Sequence, residues 1–200
     1  MSLDLSFDDA QAGIAAMLSQ FCKERRPVDV VKASAGSFPT ALWRDLAGLG
    51  VLALATPEGE GGACEVVAAM ETLGSAVFPG PLAASFFAVQ VLPADERIAV
   101  AEGRSIVAVG RPPLLPFAPV ATVFLEIEGE TVHRLRPRGE IERVDTLGGE
   151  IWGRVDNVTN ARYATGGAFN WNAFADPISV QRFVAPGAPI GGWGGVKVRF

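Results

Sequence analysis

Apolar side chains recur at steps of three, four and seven over the first hundred residues, a spacing typical of helices with one buried face. Ser6 is a suitable N-cap for the first helix, and Pro27 is expected to end it. A second helix is expected after the cap residue Ser37, with Pro39 in its first turn and Gly50 at its end. The segment between these two helices receives no assignment. Three more predicted helices cover 63–73, 82–91 and 94–101.

Beyond Gly103 the pattern changes to short β runs separated by turn residues. Gly129 and Glu130 predict a tight hairpin turn. The expected strands are 105–109, 121–128, 131–135, 141–144, 178–184 and 196–200. The sequence therefore predicts an α+β fold, in which an amino-terminal helical bundle (1–102) precedes a small antiparallel β domain (103–200). The second domain has a Gly-, Pro- and Asn-rich tail, and no role is assigned to residues 161–200.

The composition narrows the classes of partner. Of the 200 residues 49% are hydrophobic, with a mean hydropathy of +0.28, so the chain can bury a substantial core. The net charge of -5 is spread along the chain without a basic stripe, which excludes nucleic acid as an expected partner. Cys22 and Cys64, with a single histidine, are too few ligands for a zinc site, and two buried free thiols are expected. The first residues lack a signal-peptide pattern and no apolar run is long enough for a bilayer, so we expect a cytoplasmic protein without membrane contact.

Four short motifs resemble acyl-CoA dehydrogenases. The order and spacing of all four carry the resemblance, because each alone is a weak signal. They are the Leu-Trp helix end at 42–51, the apolar stretch followed by Pro57-Glu58 and Gly61-Gly62, the Glu71-Thr72-Leu73-Gly74 helix end, and Pro81. For Trp43 and the glycine pair, packing roles are favoured over ligand contact.

The resemblance implies flavin-linked oxidation of an acyl thioester, but the second half departs from the family pattern. Residues 102–109 and 145–155 are similar to the two ends of the family's β domain. The excursion that lines the flavin in the family is represented here by the short apolar segment 111–117, without a Trp-x-Thr or Trp-x-Ser pair. The last forty residues do not resemble the carboxy-terminal bundle that supplies the catalytic carboxylate. FAD is therefore a possible cofactor that no specific motif supports, and no catalytic or cofactor-binding residue is assigned.

A substrate pocket is the one site that the resemblance locates. Ser85, Phe86 and Phe87 lie where the family's acyl pocket is partly formed, although core packing is the favoured interpretation of these residues. Glu71 is interpreted as a solvated helix acid and His133 as a surface strand residue. Four arginines on the β half could contact a nucleotide phosphate, although a solvated strand face is the favoured interpretation. They are Arg134, Arg136, Arg138 and Arg143.

Three functional hypotheses remain open at this point. The first is an acyl-CoA dehydrogenase-like subunit that acts on an acyl thioester, or another small apolar ligand, with a partner chain that supplies the missing parts. The second is a binding or scaffold subunit without redox activity, or a flavin-free enzyme built on the same fold. The third is an altered product without a function of its own. Apolar surface left where a further domain would dock predicts a homo- or hetero-oligomer.

Overall fold

The computed structural model describes residues 7–34, 36–59, 61–146 and 151–155, and also the backbone of 164–172 and 179–186. Its first half is helical, as predicted. The helices are α1 (Asp9–Arg25), α2 (Pro27–Ala33), α3 (Thr40–Gly48), α4 (Ala63–Ser75), α5 (Leu82–Val91) and α6 (Ala94–Ala101). A 3-10 turn, Val51–Ala53, follows α3.

The start of α1 differs from the prediction. Its N-cap is Asp8, whose carboxylate accepts a hydrogen bond from the backbone N–H of Gln11 at 2.9 Å. The Gln11 side chain accepts from the Asp8 N–H in return, at 3.2 Å, which completes a capping box. The assignment of Ser6 as N-cap was therefore wrong, because Asp8 is the acid that has a glutamine three residues later.

Pro27 ends α1 and also begins a helix that the sequence reading left unassigned. Arg26 takes a left-handed conformation with φ +48°, which turns the chain, and Pro27 then occupies the first turn of α2. Proline is tolerated there because the first N–H groups of a helix have no intrahelical acceptor. At α3 the N-cap is Pro39, which makes no side-chain cap hydrogen bond. The prediction of Ser37 as the N-cap was therefore wrong.

Strands dominate the second half. Their bounds are β1 (Val107–Val109), β2 (Leu114–Pro116), β3 (Val123–Glu128), β4 (Thr131–Arg134), β5 (Glu142–Val144), β6 (Trp152–Arg154), β7 (Ala164–Asn172) and β8 (Ser179–Pro186). The predictions located β1, β3, β4, β5 and β8 but missed β2, β6 and β7. The predicted strand 196–200 lies outside the described residues.

The strands form three small sheets with the orders β1-β3-β4, β2-β6-β5 and β7-β8. The predicted turn after Glu128 is confirmed, since Glu128 pairs with Thr131 across Gly129, whose φ is +60°. The predicted β domain was antiparallel, but one pair of strands is parallel. β1 runs parallel to β3, with Val107 opposite Val123. A helical domain followed by a small, mostly antiparallel β region confirms the α+β class.

The cores of the two halves meet at the seam near Gly103. Trp43 is fully buried in the helical core, and Ile106, just before β1, belongs to the same cluster. A second cluster joins Val89 of α5 and Val100 of α6 to Val107 and Val123 of β1 and β3. Burial of such residues stabilises each by about 1.5–3 kcal/mol. The division at 102/103 stays a prediction, but the apolar packing crosses it.

In the described part of the chain, no helix combines the length and apolar character that crossing a membrane requires. The same residues contain no group of three metal-ligating side chains.

Candidate functional site

An apolar cleft opens between the helical half and the β half, and we refer to it as the seam cleft. Its volume is about 310 Å³. The helical half contributes α2, the chain between α2 and α3, and the turn before α5, with Val31, Phe38, Pro39, Pro79 and Gly80. The β half contributes Pro116, Phe117, Ile151 and Trp152. Gly36 and Ser37 complete the lining.

Phe117 connects the two walls of the seam cleft. Its ring meets that of Phe38 edge to face, with centroids 6.1 Å apart and an angle of 83°. Phe38 in turn contacts Trp43 at 5.9 Å and 60°. The backbone N–H of Phe117 donates to the Ile151 carbonyl at 2.7 Å, which ties β2 to the residue before β6. Aromatic pairs in this arrangement are worth about 0.5–1.5 kcal/mol beyond their buried area.

Among the described residues, no charged side chain lines the seam cleft. Arg143 contacts one lining residue, since it donates to the carbonyl of Gly36. Arg134 forms an ion pair with Glu96 of α6. Two of the four arginines considered as phosphate ligands are thus used in contacts between the halves. Arg136 and Arg138 are exposed, as predicted, but they lie in the segment between β4 and β5 and not on a strand face.

A second and more open cavity, the α1 groove, lies between α1, the start of α2 and the end of α4, with a volume of about 660 Å³. Its charged side chains are Lys23, Arg26, Asp29 and Glu71. Arg26 is paired with Asp29 at 2.7 Å. Glu71 is exposed, as the sequence reading favoured.

The three residues predicted for a substrate pocket lie in the core. Ser85 is fully buried and Phe86 is 4% exposed, while the partly buried Phe87 packs against the second cluster. None of them lines the seam cleft or the α1 groove. The Ser85 hydroxyl and the Trp43 indole N–H are the two buried side-chain groups without a hydrogen-bond partner among the described residues. The substrate-pocket assignment stays a prediction.

His133 lies on β4 opposite Glu126, with about half of its side chain exposed. Sequence reasoning gave it no acidic neighbour, but Glu128 lies within 3.8 Å of its Nε2. The cysteines also differ from the expectation of two buried thiols. Both are free, but Cys64 is exposed, whereas burial raises the pKa of the Cys22 thiol.

The caps of α1 and α4 are joined by hydrogen bonds. The Gln11 side-chain amide donates to Asp8 at 3.1 Å and to Glu65 at 3.3 Å, and Glu65 also accepts from the Gly62 N–H at 2.7 Å. Backbone N–H groups of Glu65 and Gly62, with a further contribution from Gln11, hold the pKa of Glu65 below its usual value. This carboxylate is a helix cap and lies outside both cavities.

Residues 8–94 match the family model described as acyl-CoA dehydrogenase, N-terminal domain. The helical domain is an acyl-CoA dehydrogenase N-terminal domain. The match begins at the α1 cap and ends at the first residue of α6, so it spans all four motifs. No curated protein sequence matches the chain.

An acyl-CoA dehydrogenase domain implies FAD, and the two cavities test whether the described residues fit it. FAD carries a pyrophosphate, which requires cations or free backbone N–H groups, and a polar isoalloxazine edge. The seam cleft offers one hydroxyl, on Ser37, and no cation. In the α1 groove Arg26 is paired with Asp29, and the charge of Lys23 is offset by that of Glu71, so the described lining has no net positive charge for a pyrophosphate. Neither cavity fits FAD.

Proposed function

We propose that the chain is a partner-dependent subunit of an acyl-CoA dehydrogenase-like assembly that carries out flavin-linked oxidation of an acyl thioester. In this proposal a partner chain holds the flavin and supplies the carboxylate base. The family match of the helical domain supports the reaction class. The proposed setting is the cytoplasm, and cell fractionation tests it.

The observation that carries the proposal is the closure of the segment between β1 and β3. Resemblance to the family places a flavin-lining excursion there, but Leu115 is fully buried and Phe117 packs against Phe38. The N–H of Val155 donates to the Pro113 carbonyl at 2.7 Å, which fastens the same segment to the end of β6. A flavin would have to displace this packing, so we assign its binding to another chain.

Exposed apolar side chains on the helical domain support association with a partner. Val67 on α4 is 55% exposed and Ile98 on α6 is 52% exposed. Val77, with φ +52°, is 68% exposed in the turn after α4. Light scattering should therefore find an oligomer, and a monomer at micromolar concentration would contradict this part. Val67→Lys and Ile98→Lys each add a charge to a different helix. The substitution that weakens association in light scattering identifies the helix that contacts the partner.

The test of the redox assignment is flavin content. The purified chain alone should remain colourless after incubation with FAD and gel filtration. A complex purified with its partner should show visible flavin absorbance that an acyl thioester bleaches under anaerobic conditions. Stoichiometric FAD binding by the chain alone would contradict partner dependence.

A second candidate is a binding subunit, or a flavin-free enzyme, built on the same domain. The lack of fit between FAD and either cavity favours it. A complex that contains the chain, lacks flavin and still binds an acyl thioester would establish this alternative and exclude the first.

A further inference from the structure

The seam cleft joins segments that are distant in the sequence and encloses an apolar space. Phe38 belongs to the helical domain, Phe117 follows β2 and Trp152 begins β6. Their three aromatic rings, with prolines at Pro39 and Pro116, form walls on both sides. Pockets of this composition at the junction of two structural units are typical sites for small organic ligands.

The backbone at Phe117 supports a binding role. Its φ of +60° is a left-handed conformation that bulky side chains rarely adopt. Such a conformation is unfavourable and persists only where the surrounding packing over-determines it. The conformation places Phe117 against Phe38 at the cleft, and not in the sheet that β2 forms with β6.

Charge determines which ligands the seam cleft accepts. The described lining contains no charged side chain, and Arg143, which donates to the Gly36 carbonyl, is exposed and is not part of that lining. An anionic or cationic ligand would therefore lose hydration without an ionic partner among the lining residues. A neutral ligand has no such penalty, and the hydroxyl of Ser37 leaves room for one polar group.

The volume sets the size of the ligand. A dry apolar cavity of about 150 Å³ holds one benzene molecule. The seam cleft has about twice that volume, at about 310 Å³. We propose that it binds a neutral, mainly apolar molecule of two or three rings. This site is separate from the proposed redox function, since it requires neither flavin nor a partner chain.

The probe for the test is phenylnaphthylamine, a neutral three-ring fluorophore whose emission rises in apolar surroundings. Val31, 42% exposed on α2, lies at the cleft, and Val31→Trp should close it. We expect saturable binding of one probe per full-length chain and an affinity loss of about tenfold or more in Val31→Trp. Anilinonaphthalene sulfonate, which adds a negative charge to the same rings, should bind about tenfold more weakly at this site.

The matched control is Val28→Trp. Val28 is on the same helix and 41% exposed, but it lines the α1 groove. It should leave the affinity for phenylnaphthylamine within about twofold. Thermal unfolding of both variants confirms that they are folded. The absence of saturable binding, or equal losses in both variants, would overturn the proposal, as would sulfonate binding at this site as tight as that of phenylnaphthylamine.

Discussion

Gly80 lies against the face of Trp43 so closely that a Cβ atom at position 80 would come within 2.5 Å of the indole Cζ3. The φ of Gly80 is +127°, a conformation that other residues rarely adopt. Gly103 approaches the pyrrole part of the same ring, with its ideal Cβ position 3.3 Å from Cδ1. The tryptophan that anchors the helical core is thus in close contact with two glycines.

Gly80→Ala should therefore be strongly destabilising. The added methyl group would clash with a fully buried ring and the backbone would remain strained, so we expect a loss of about 3 kcal/mol in the free energy of unfolding. Urea unfolding measures it. Gly13→Ala is the control, since it lies in α1 with nothing within 4 Å of the added atom and should gain about 0.5–1 kcal/mol. Equal effects of the two substitutions would contradict the close packing.

Trp43→Ala should cost about 3–5 kcal/mol, because it leaves a large cavity. Trp43→Phe should cost roughly half as much, since the indole N–H has no hydrogen-bond partner to lose. Urea unfolding of both variants checks the order. A phenylalanine variant as unstable as the alanine variant would indicate that the indole nitrogen has a partner.

Ser85→Ala tests the predicted substrate pocket against core packing. The buried hydroxyl is unpartnered, so its removal should raise the free energy of unfolding by up to about 1 kcal/mol. Ser75→Ala, whose hydroxyl donates to the Glu71 carbonyl on the helix surface, should change it by less than about 0.5 kcal/mol. If Ser85 contacts the substrate, the same variant should also weaken thioester binding in the assembled complex.

Stability should decline in acid partly through Glu65. Its pKa in the folded chain is lowered, so its contribution is present above the ordinary glutamate pKa of about 4.3. The contribution falls as pH drops below that value, and is lost once the pH passes the lowered pKa. Glu65→Gln should therefore have a urea midpoint that changes less than the wild type between neutral pH and about pH 3. Glu24→Gln, on the surface of α1, is the control and should follow the wild type.

The two thiols should react at very different rates with Ellman's reagent. Cys64 is exposed and should react at once, whereas burial and a raised pKa protect Cys22 until the chain unfolds. Cys64→Ser should remove the fast phase and Cys22→Ala should retain it. Comparable rates for both thiols in the wild type would contradict the burial of Cys22.

Helix bounds were predictable where proline fixes the start. The bounds of α5 and α6 agree with the predictions because Pro81 and Pro93 immediately precede them. The starts of α1 and α3 were wrong for different reasons. At α1 the hydrogen bonds between Asp8 and Gln11 determine where the helix starts. At α3 the helix begins at Thr40, and its N-cap Pro39 makes no side-chain cap hydrogen bond.

The missed strands β2 and β6 are three residues long, which is too short for an alternating pattern. Tertiary packing defines them. A Cβ atom on Gly153 would lie within 2.9 Å of side chains of Ala118, Pro119 and Ile141, so β6 fits only because glycine occupies that position. No local signal reveals such contacts, nor the parallel pairing of β1 with β3.

The seam cleft could not be located from sequence alone, because Phe38, Gly80, Phe117 and Trp152 belong to four separate segments. Two of these segments carry a local signal, the Pro-Gly pair at 79–80 and the Pro-Phe pair at 116–117. In each pair the second residue has a positive φ. These signals indicate turns, but they do not indicate that the turns meet.

The second cluster, which α5 and α6 share with β1 and β3, is completed late in the synthesis of the chain. Val100 packs in the same cluster as Leu125, so the helical domain is synthesised before the strand β3 that covers its apolar side chains. At about 5–20 residues per second, the intervening stretch of about 25 residues takes roughly 1–5 s to translate. During that interval the newly made helices expose the apolar side chains that β3 later covers.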